Sequence, residues 1–261
     1  MGNGKISVIL GTLNEESQIR DCLDSVRDIA DEIIITDSVS DDRTVEICRE
    51  YTDKIFIKPY ERYARTRNWM LQFVSNEWVL SIDADERFTP ELLKEVEDRL
   101  EKNKDSDING YWFSYRYICF GRSMDHWKRG EEHLRLFRQG KGSWEDKEVH
   151  SKLIVAGKTG KFKNYILHLP YQNLTNVKDK LSRYTLWDAE ERFKHKRYFK
   201  WYNLFITVLK PLYKFLQSYV SNSGFKDGFP GFKICFFMSF YTFLVDIQHY
   251  RLVIKKNLQT Q

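Results

Sequence analysis

The residues able to do chemistry gather where the run Trp78-Val79-Leu80-Ser81-Ile82 ends in Asp83-Ala84-Asp85-Glu86. The run reads as a buried strand. Parallel strands covered on both faces are near-continuous in apolar residues, and α/β proteins place ligands at their carboxyl ends. In an extended segment Asp83 and Asp85 point the same way, with Cα atoms roughly 6.5–7 Å apart. Two like charges so placed repel unless something positive sits between or beyond them. A hard divalent cation meets that need, and Mg²⁺ typically takes one or two carboxylates plus phosphate oxygens. An isolated Asp-x-Asp pair is more often a solvated strand end, so the case rests on the surrounding chain.

The elements before this pair alternate. Residues 6–10 predict a first strand, closed by Gly11-Thr12-Leu13-Asn14-Glu15. Ile19, Leu23, Val26 and Ile29 carry helical spacing over 17–29. Residues 32–36 predict a second buried strand, which ends in the acidic loop Asp37-Ser38-Val39-Ser40-Asp41-Asp42. Asp42 can cap a helix over 43–51. A third strand over 54–57 and a helix over 63–74 follow, then the central strand. Thr89-Pro90-Glu91 is a helix start, with Thr as cap and Pro first, for a helix to about residue 102. Alternation at this spacing predicts an α/β fold whose parallel sheet is covered on both faces. It puts Asn14, Asp37 and the Asp83/Asp85 pair on one rim. Such a rim suits a cation or a hydroxyl-rich ligand, and a nucleotide sugar with bound metal supplies both.

After residue 108 the pattern changes. Residues 110–120 are aromatic and alternating, and predict an antiparallel strand; 134–137 and 152–155 predict shorter ones. Between them lies Trp144-Glu145-Asp146-Lys147-Glu148-Val149-His150. This half is expected to form the second wall of a cleft. From about Tyr171 the chain reads as helical, with a break near Pro211 and an apolar run over 234–245. That run has 12 residues, short of the roughly 20 needed to cross a bilayer.

Charge divides the chain. Residues 192–261 hold 12 Lys and Arg against two acids, Asp227 and Asp246, while residues 1–191 hold 30 basic and 35 acidic side chains. The front is net −5 and the back +10, which gives the overall +5. A basic segment suits an anionic surface. Its interleaved aromatic and apolar residues favour lipid over nucleic acid, as helices lying in the membrane interface; packing on the catalytic domain or on another subunit is the alternative. The boundary is expected near residue 190, with a domain over 1–190 and a basic helical extension over 191–261. Cys22, Cys48, Cys119 and Cys235 form no Cys-x-x-Cys pair, so neither a zinc knuckle nor a redox dithiol is indicated, and a reducing setting fits. The N-terminus runs straight into a strand with no apolar signal segment.

Together the motifs resemble glycosyltransferase family 2 of the GT-A fold, and within it the bacterial lipopolysaccharide-core and cell-surface glycan enzymes. The matching pieces are Thr12-Leu13-Asn14-Glu15, Asp37 through Thr44, Arg67-Asn68, Trp78 through Glu86, Leu134-Arg135-Leu136-Phe137-Arg138, Val149-His150 and Gly224-Phe225-Lys226-Asp227-Gly228. The resemblance implies a mostly parallel Rossmann-like sheet flanked by helices. It implies that Thr12, Asn14, Glu15 and Asp37 hold the base and ribose of a nucleoside-diphosphate sugar. Arg67 would lie near the phosphates or base, Asp83 would contact ribose or metal, and Asp85 the Mg²⁺ or Mn²⁺ on the diphosphate. It further implies inversion by single displacement onto a hydroxyl of a lipid-linked or lipopolysaccharide-core glycan. The expected setting is cytoplasmic, peripheral on the inner face of the cytoplasmic membrane, with no nucleic-acid partner and with a homo-oligomer as one option. Two departures stand out. Relatives usually read Val-His-Glu where this chain has Val149-His150-Ser151, so Glu131 and Glu148 become the candidate bases. Val39 replaces a common Gly, so the turn there is expected to avoid positive φ. A nucleotidyltransferase is disfavoured because the loop after strand one is neither glycine-rich nor basic; a non-catalytic nucleotide-sugar-binding subunit is the other alternative.

Overall fold

The computed structural model describes residues 4–102, 107–145, 151–194 and 202–259. They fall into two compact units, one of residues 1–116 with 130–168, the other of 117–129 with 169–261.

The first unit is built on β1 (Ile6–Thr12), β2 (Glu32–Asp37), β3 (Ile55–Ile57) and β4 (Trp78–Asp83), which lie parallel in the order β3-β2-β1-β4. Burial on both faces explains their continuous apolar runs: Val8, Ile9, Leu10, Ile34, Ile35, Val79 and Leu80 are inaccessible to solvent. Between the strands run α1 (Ile19–Asp24), α2 (Thr44–Cys48), α3 (Tyr63–Met70) and α4 (Pro90–Lys102). The first two are shorter than their periodicity predicts and finish in turns. In α4 the buried residues Leu92, Val96 and Leu100 fall four apart on one face, and Thr89 Oγ1 accepts the Leu92 N–H at 3.2 Å.

The sheet then continues with antiparallel partners. β5 (Glu86–Phe88) turns straight out of the acidic loop; β6 (Ile108–Cys119), β8 (Glu132–Arg138) and β11 (Lys158–Tyr171) extend the order as β4-β8-β6-β11-β5. β8 lies antiparallel to β4, with Leu136 opposite Leu80. β9 (Gly142–Trp144) and β10 (Leu153–Val155) make a separate hairpin. Strands β5, β9 and β11 are not expected from the sequence pattern. The fold is thus of the GT-A type, a parallel half continued by an antiparallel half.

In the second unit β7 (Arg122–Met124) pairs with Tyr117–Cys119, and three helices follow: α5 (Leu174–Lys194), α6 (Tyr202–Leu216) and α7 (Gly228–Gln259). Asn173 Oδ1 accepts the Asn176 N–H and caps α5. The expected break at Pro211 does not occur, because α6 runs through it. A mid-helix proline costs about 3 kcal/mol, but Ser239 Oγ of α7 donates to the Pro211 carbonyl at 2.6 Å, fastening the site from outside. The 12-residue apolar run is likewise only part of α7, which has 32 residues. By length and composition alone the segment Gly224–Lys256 could cross a membrane, with a mean hydropathy of 1.4. One side of α7 packs on α5 and α6, with Ile234, Cys235 and Val245 fully buried.

Candidate active site

The carboxyl ends of the parallel strands are in register. Thr12 lies opposite Asp37 across β1 and β2, and Gly11 opposite Asp83 across β1 and β4. The two loops that leave β1 and β2 interlock. Asp37 is buried; it accepts the Thr12 hydroxyl at 2.8 Å, the Ser40 N–H at 2.7 Å and the Ser40 hydroxyl at 2.5 Å. Asn14 donates its N–H to Ser40 Oγ and accepts the Asp41 N–H. Glu15 N–H bonds Thr44 Oγ1, and Glu16 N–H bonds Asp42. Asp37 therefore braces the loops, while Asn14 stays exposed and Glu15 half-exposed above them.

This bracing overturns the expectation for Val39. Its φ is 66°, in the left-handed region, as is that of Asn14 at 54°. The turn through position 39 brings Ser40 back onto both oxygens of Asp37. For a β-branched residue the strain is of order 1–2 kcal/mol. The side chain projects into solvent, 57% exposed, so the strain brings no clash with the core.

Below the acidic loop lies a charge network. Arg67, on α3, is 2% exposed. It donates to the Ile9 carbonyl at 2.8 Å, the Ile82 carbonyl at 2.7 Å and Asp83 Oδ1 at 2.6 Å. The resemblance places it near the phosphates or base; in the structure its guanidinium donates to β1, β4 and Asp83. Arg135, on β8, reaches Asp83 Oδ2 at 2.7 Å, Glu86 Oε1 at 2.5 Å and the Tyr115 and Tyr63 hydroxyls at 2.7 and 3.1 Å. Glu86 also accepts Tyr115 Oη–H at 2.7 Å and the Asp83 N–H at 3.0 Å. Burial would push the Asp83 carboxyl up, but Arg135 and then Arg67 outweigh it and hold the pKa below its ordinary value. Burial pushes Glu86 up. Arg135 stays cationic: burial opposes the charge, and Asp83 and Glu86 more than restore it.

Asp85 faces His168, Oδ1 to Nε2 3.3 Å. The histidine arrives on β11, paired antiparallel with β5 so that His168 lies opposite Glu86. Burial lowers its pKa, yet Asp85 first and then Glu86 and Asp83 raise it above the ordinary value.

Of the two carboxylates expected at a divalent cation, Asp83 has each oxygen on an arginine and keeps an accessible edge. Asp85 offers a hard oxygen and His168 a nitrogen beside it, a donor set that suits Mg²⁺ or Mn²⁺ once diphosphate oxygens complete it. No group of three or more His, Cys, Asp or Glu gathers for a metal among the described residues.

A cavity of about 470 Å³ adjoins the network and shares Arg135 as a wall; Glu131, His133, Trp112, Trp144 and Lys152 also line it. Glu131 Oε1 lies 3.2 Å from His133 Nε2. Asn68, the neighbour of Arg67, pins Trp144 through two reciprocal bonds of 2.8 Å to its backbone. Glu148 lies outside the described residues.

Sequence reasoning quotes Arg135 and Glu86 within motifs without giving them a role, and passes over Tyr115 and His168. Arg135 had a signal: an arginine between Leu134 and Leu136 in an apolar strand needs a buried anion. Nothing local marks His168.

A GT-A sheet with an acidic loop at the end of β4 and an aromatic-walled cavity beside it is an arrangement that suits an enzyme of sugar transfer. A family model described as glycosyl transferase family 2 matches residues 7–152. The chain belongs to that family and is a glycosyltransferase. It is similar to the lipopolysaccharide core biosynthesis glycosyltransferase LpsC of Rhizobium meliloti (strain 1021), 28% identical over 255 residues, which cover 94% of this chain and 92% of that one. It is also similar to the uncharacterized glycosyltransferase RT0209 of Rickettsia typhi, 32% identical over 133 residues, which cover 51% of this chain and 42% of the relative. Among solved structures, S. aureus TarS 1–349 in complex with UDP-GlcNAc aligns over 98% of this chain and 92% of its own, at 16% identity and a TM-score of 0.45. Glucosyl-3-phosphoglycerate synthase from Mycobacterium tuberculosis, with Mn²⁺ and UDP-glucose, aligns over 43% of each chain at 24% identity and a TM-score of 0.36.

Proposed function

We propose that the protein moves a sugar, with inversion, from a nucleoside-diphosphate sugar to a hydroxyl of a lipid-carried glycan of the lipopolysaccharide-core kind, at a membrane surface on the cytoplasmic side. The observation that carries this reading is the separation of roles at the end of β4: Asp83 is locked by two arginines, and Asp85, two residues on, stands beside His168. The likeness to LpsC over nearly the whole chain supports the acceptor class.

Asn14 and Glu15, raised on the loops braced by Thr12 and Asp37, contact the base and ribose. Asp85, with His168, would hold Mg²⁺ or Mn²⁺. When bound, the cation neutralises charge that grows on the diphosphate as the glycosidic bond breaks. Asp83, fixed by Arg67 and Arg135, orients the ribose side of the donor. Glu131 takes the proton from the acceptor hydroxyl in the cavity and His133 orients its carboxylate; Glu148 is the alternative base. Trp112 and Trp144 offer apolar faces to the acceptor sugar.

The test has two arms. Chelation should stop donor turnover and added Mn²⁺ should restore it. Glu131→Gln should abolish transfer while a donor with Mn²⁺ still raises the melting temperature, as ligand linkage requires. Full transfer by Glu131→Gln would move the base elsewhere, Glu148 first.

A further inference from the structure

The second unit carries an exposed apolar surface on α6 and α7. Along α7, Phe229, Phe232, Phe236, Phe240 and Phe243 stack in sequence with ring centroids 6.3, 6.3, 6.2 and 6.0 Å apart. At about 100° per residue these five fall within one narrow stripe of the helix. Phe229 is 67% exposed and Phe236 50%. On α6, Val208, Leu209, Leu212, Tyr213 and Leu216 are all exposed, Tyr213 at 62%.

The two helices run antiparallel: Lys210 meets Asp246, Pro211 meets Ser239 and Phe215 meets Phe232. Tracing both helices from those contacts turns the two stripes to the same side of the pair. Tyr241, whose hydroxyl bonds Asp188 of α5 at 2.6 Å, lies on the opposite side of α7. The result is one broad apolar face, away from α5, of a kind that soluble surfaces rarely leave open.

Its charge selects the occupant. Residues 202–259 contain two acids, Asp227 and Asp246. Asp227 is buried on backbone N–H groups of residues 125–127, and Asp246 pairs with Arg192 and Lys210. Two lysines lie over rings of the face, Lys233 over Phe229 at 4.7 Å and Lys214 over Tyr213 at 6.0 Å. A second copy would bring like charge against like. An anionic bilayer takes the rings at the depth of the acyl boundary and the lysines at the headgroups.

We infer that the Phe229–Phe243 stripe of α7 and the Val208–Leu216 stripe of α6 together form one face that docks flat on an anionic lipid surface. This deepens the reading of a lipid-carried acceptor, and rests on it for its purpose but not for its physics. α7 lies in the interface rather than across it, since Asp246, His249 and the α5 and α6 contacts occupy its other side along its length.

The experiment is flotation of the whole protein with vesicles of phosphatidylcholine, with and without phosphatidylglycerol, at low and high salt. Flotation should require phosphatidylglycerol and fall with salt. The triple variant Leu212→Ser, Phe229→Ser, Phe236→Ser should lose binding by roughly 100-fold, since each site removes an apolar side chain from the buried area. Its donor turnover in vesicle-free buffer should match the parent's, so failure of docking and failure of the transferase reading are read separately. No flotation of the parent, equal flotation of the variant, or a dimer of the parent that the variant dissolves would each overturn the inference. Retention in cell membranes through an alkaline wash would overturn the flat orientation in favour of a spanning α7.

Discussion

Two carboxylates, Asp83 at the end of β4 and Asp227 in the turn before α7, are held by opposite means. Asp83 is met by two guanidinium groups, Arg67 on one oxygen and Arg135 on the other, and its side chain stays 31% exposed. Asp227 is 3% exposed and is met by the backbone: N–H groups of Asp125, His126 and Trp127 at 3.0, 3.1 and 2.7 Å, with the His126 ring at 3.0 Å. Backbone donors fix a loop and leave nothing over for a ligand. Arginines fix a carboxylate while keeping an accessible edge beside further charge. Both residues sit in motifs that carry the family resemblance, yet Asp83 adjoins the candidate site and Asp227 holds a turn. The kind of donor that holds a carboxylate tells the two apart better than burial does.

The largest expected effect lies next to Asp83 and not at it. Asp85→Ala should lower kcat by about 10²–10³-fold, the scale of removing one electrostatic partner of a transition state. The melting temperature should move little, because the buried network is built on Asp83, Glu86 and the arginines. Turnover equal to the parent's would leave Asp85 no part in the chemistry. A large fall in melting temperature would make it part of the scaffold.

Arg135→Met comes next. It strands Asp83 and Glu86 with one guanidinium between them, and breaking a buried ion network from one side costs about 3–5 kcal/mol. Denaturant unfolding measures it, and a loss under 1 kcal/mol would mean that water reaches the pair. Asp227→Asn should cost less, about 1–3 kcal/mol for backbone donors left poorly matched. Turnover per folded molecule should be retained. If Asp227→Asn instead stopped catalysis in a folded protein, the contrast between site and latch would fail.

The sequence displays the parallel half well because each strand is a continuous apolar run and each following helix repeats on its own period. The rim follows from that alternation: Asp37 and Asp83 stand at the ends of β2 and β4 on either side of β1, and Asn14 lies in the loop that leaves β1. The antiparallel half is less legible. β11 mixes exposed lysines with buried Phe162 and Ile166, and it meets β5 some eighty residues away. No local period announces that pairing, so His168 could not be assigned to Asp85. Val39 fails for another reason. A strained φ is set by the hydrogen bonds that Asp37 accepts from Ser40, and propensity alone points the other way. Pro211 and the length of α7 are decided by packing of one helix on another, which overrides the local signal.

Glu32 offers a third way of holding a carboxylate, far from either region, and the smallest effect. At the amino end of β2 it accepts Lys54 Nζ, the Ser7 hydroxyl, and the Ser75 hydroxyl and N–H at 2.7 and 3.0 Å. Burial opposes its ionisation, but Lys54, Ser7 and Ser75 prevail and hold its pKa at about 2 against an ordinary 4.5. A depressed carboxylate stabilises the fold above its unfolded pKa. That contribution drains away as pH falls through the window between about 4.5 and about 2. Glu32→Gln should therefore cost about 1–2 kcal/mol at neutral pH, allowing for solvent around Lys54. The difference from the parent should shrink steadily below pH 4.5 and nearly vanish near pH 2, with turnover at neutral pH unchanged. A stability gap that stayed constant across the acid range would assign the effect to packing of the side chain and not to its charge.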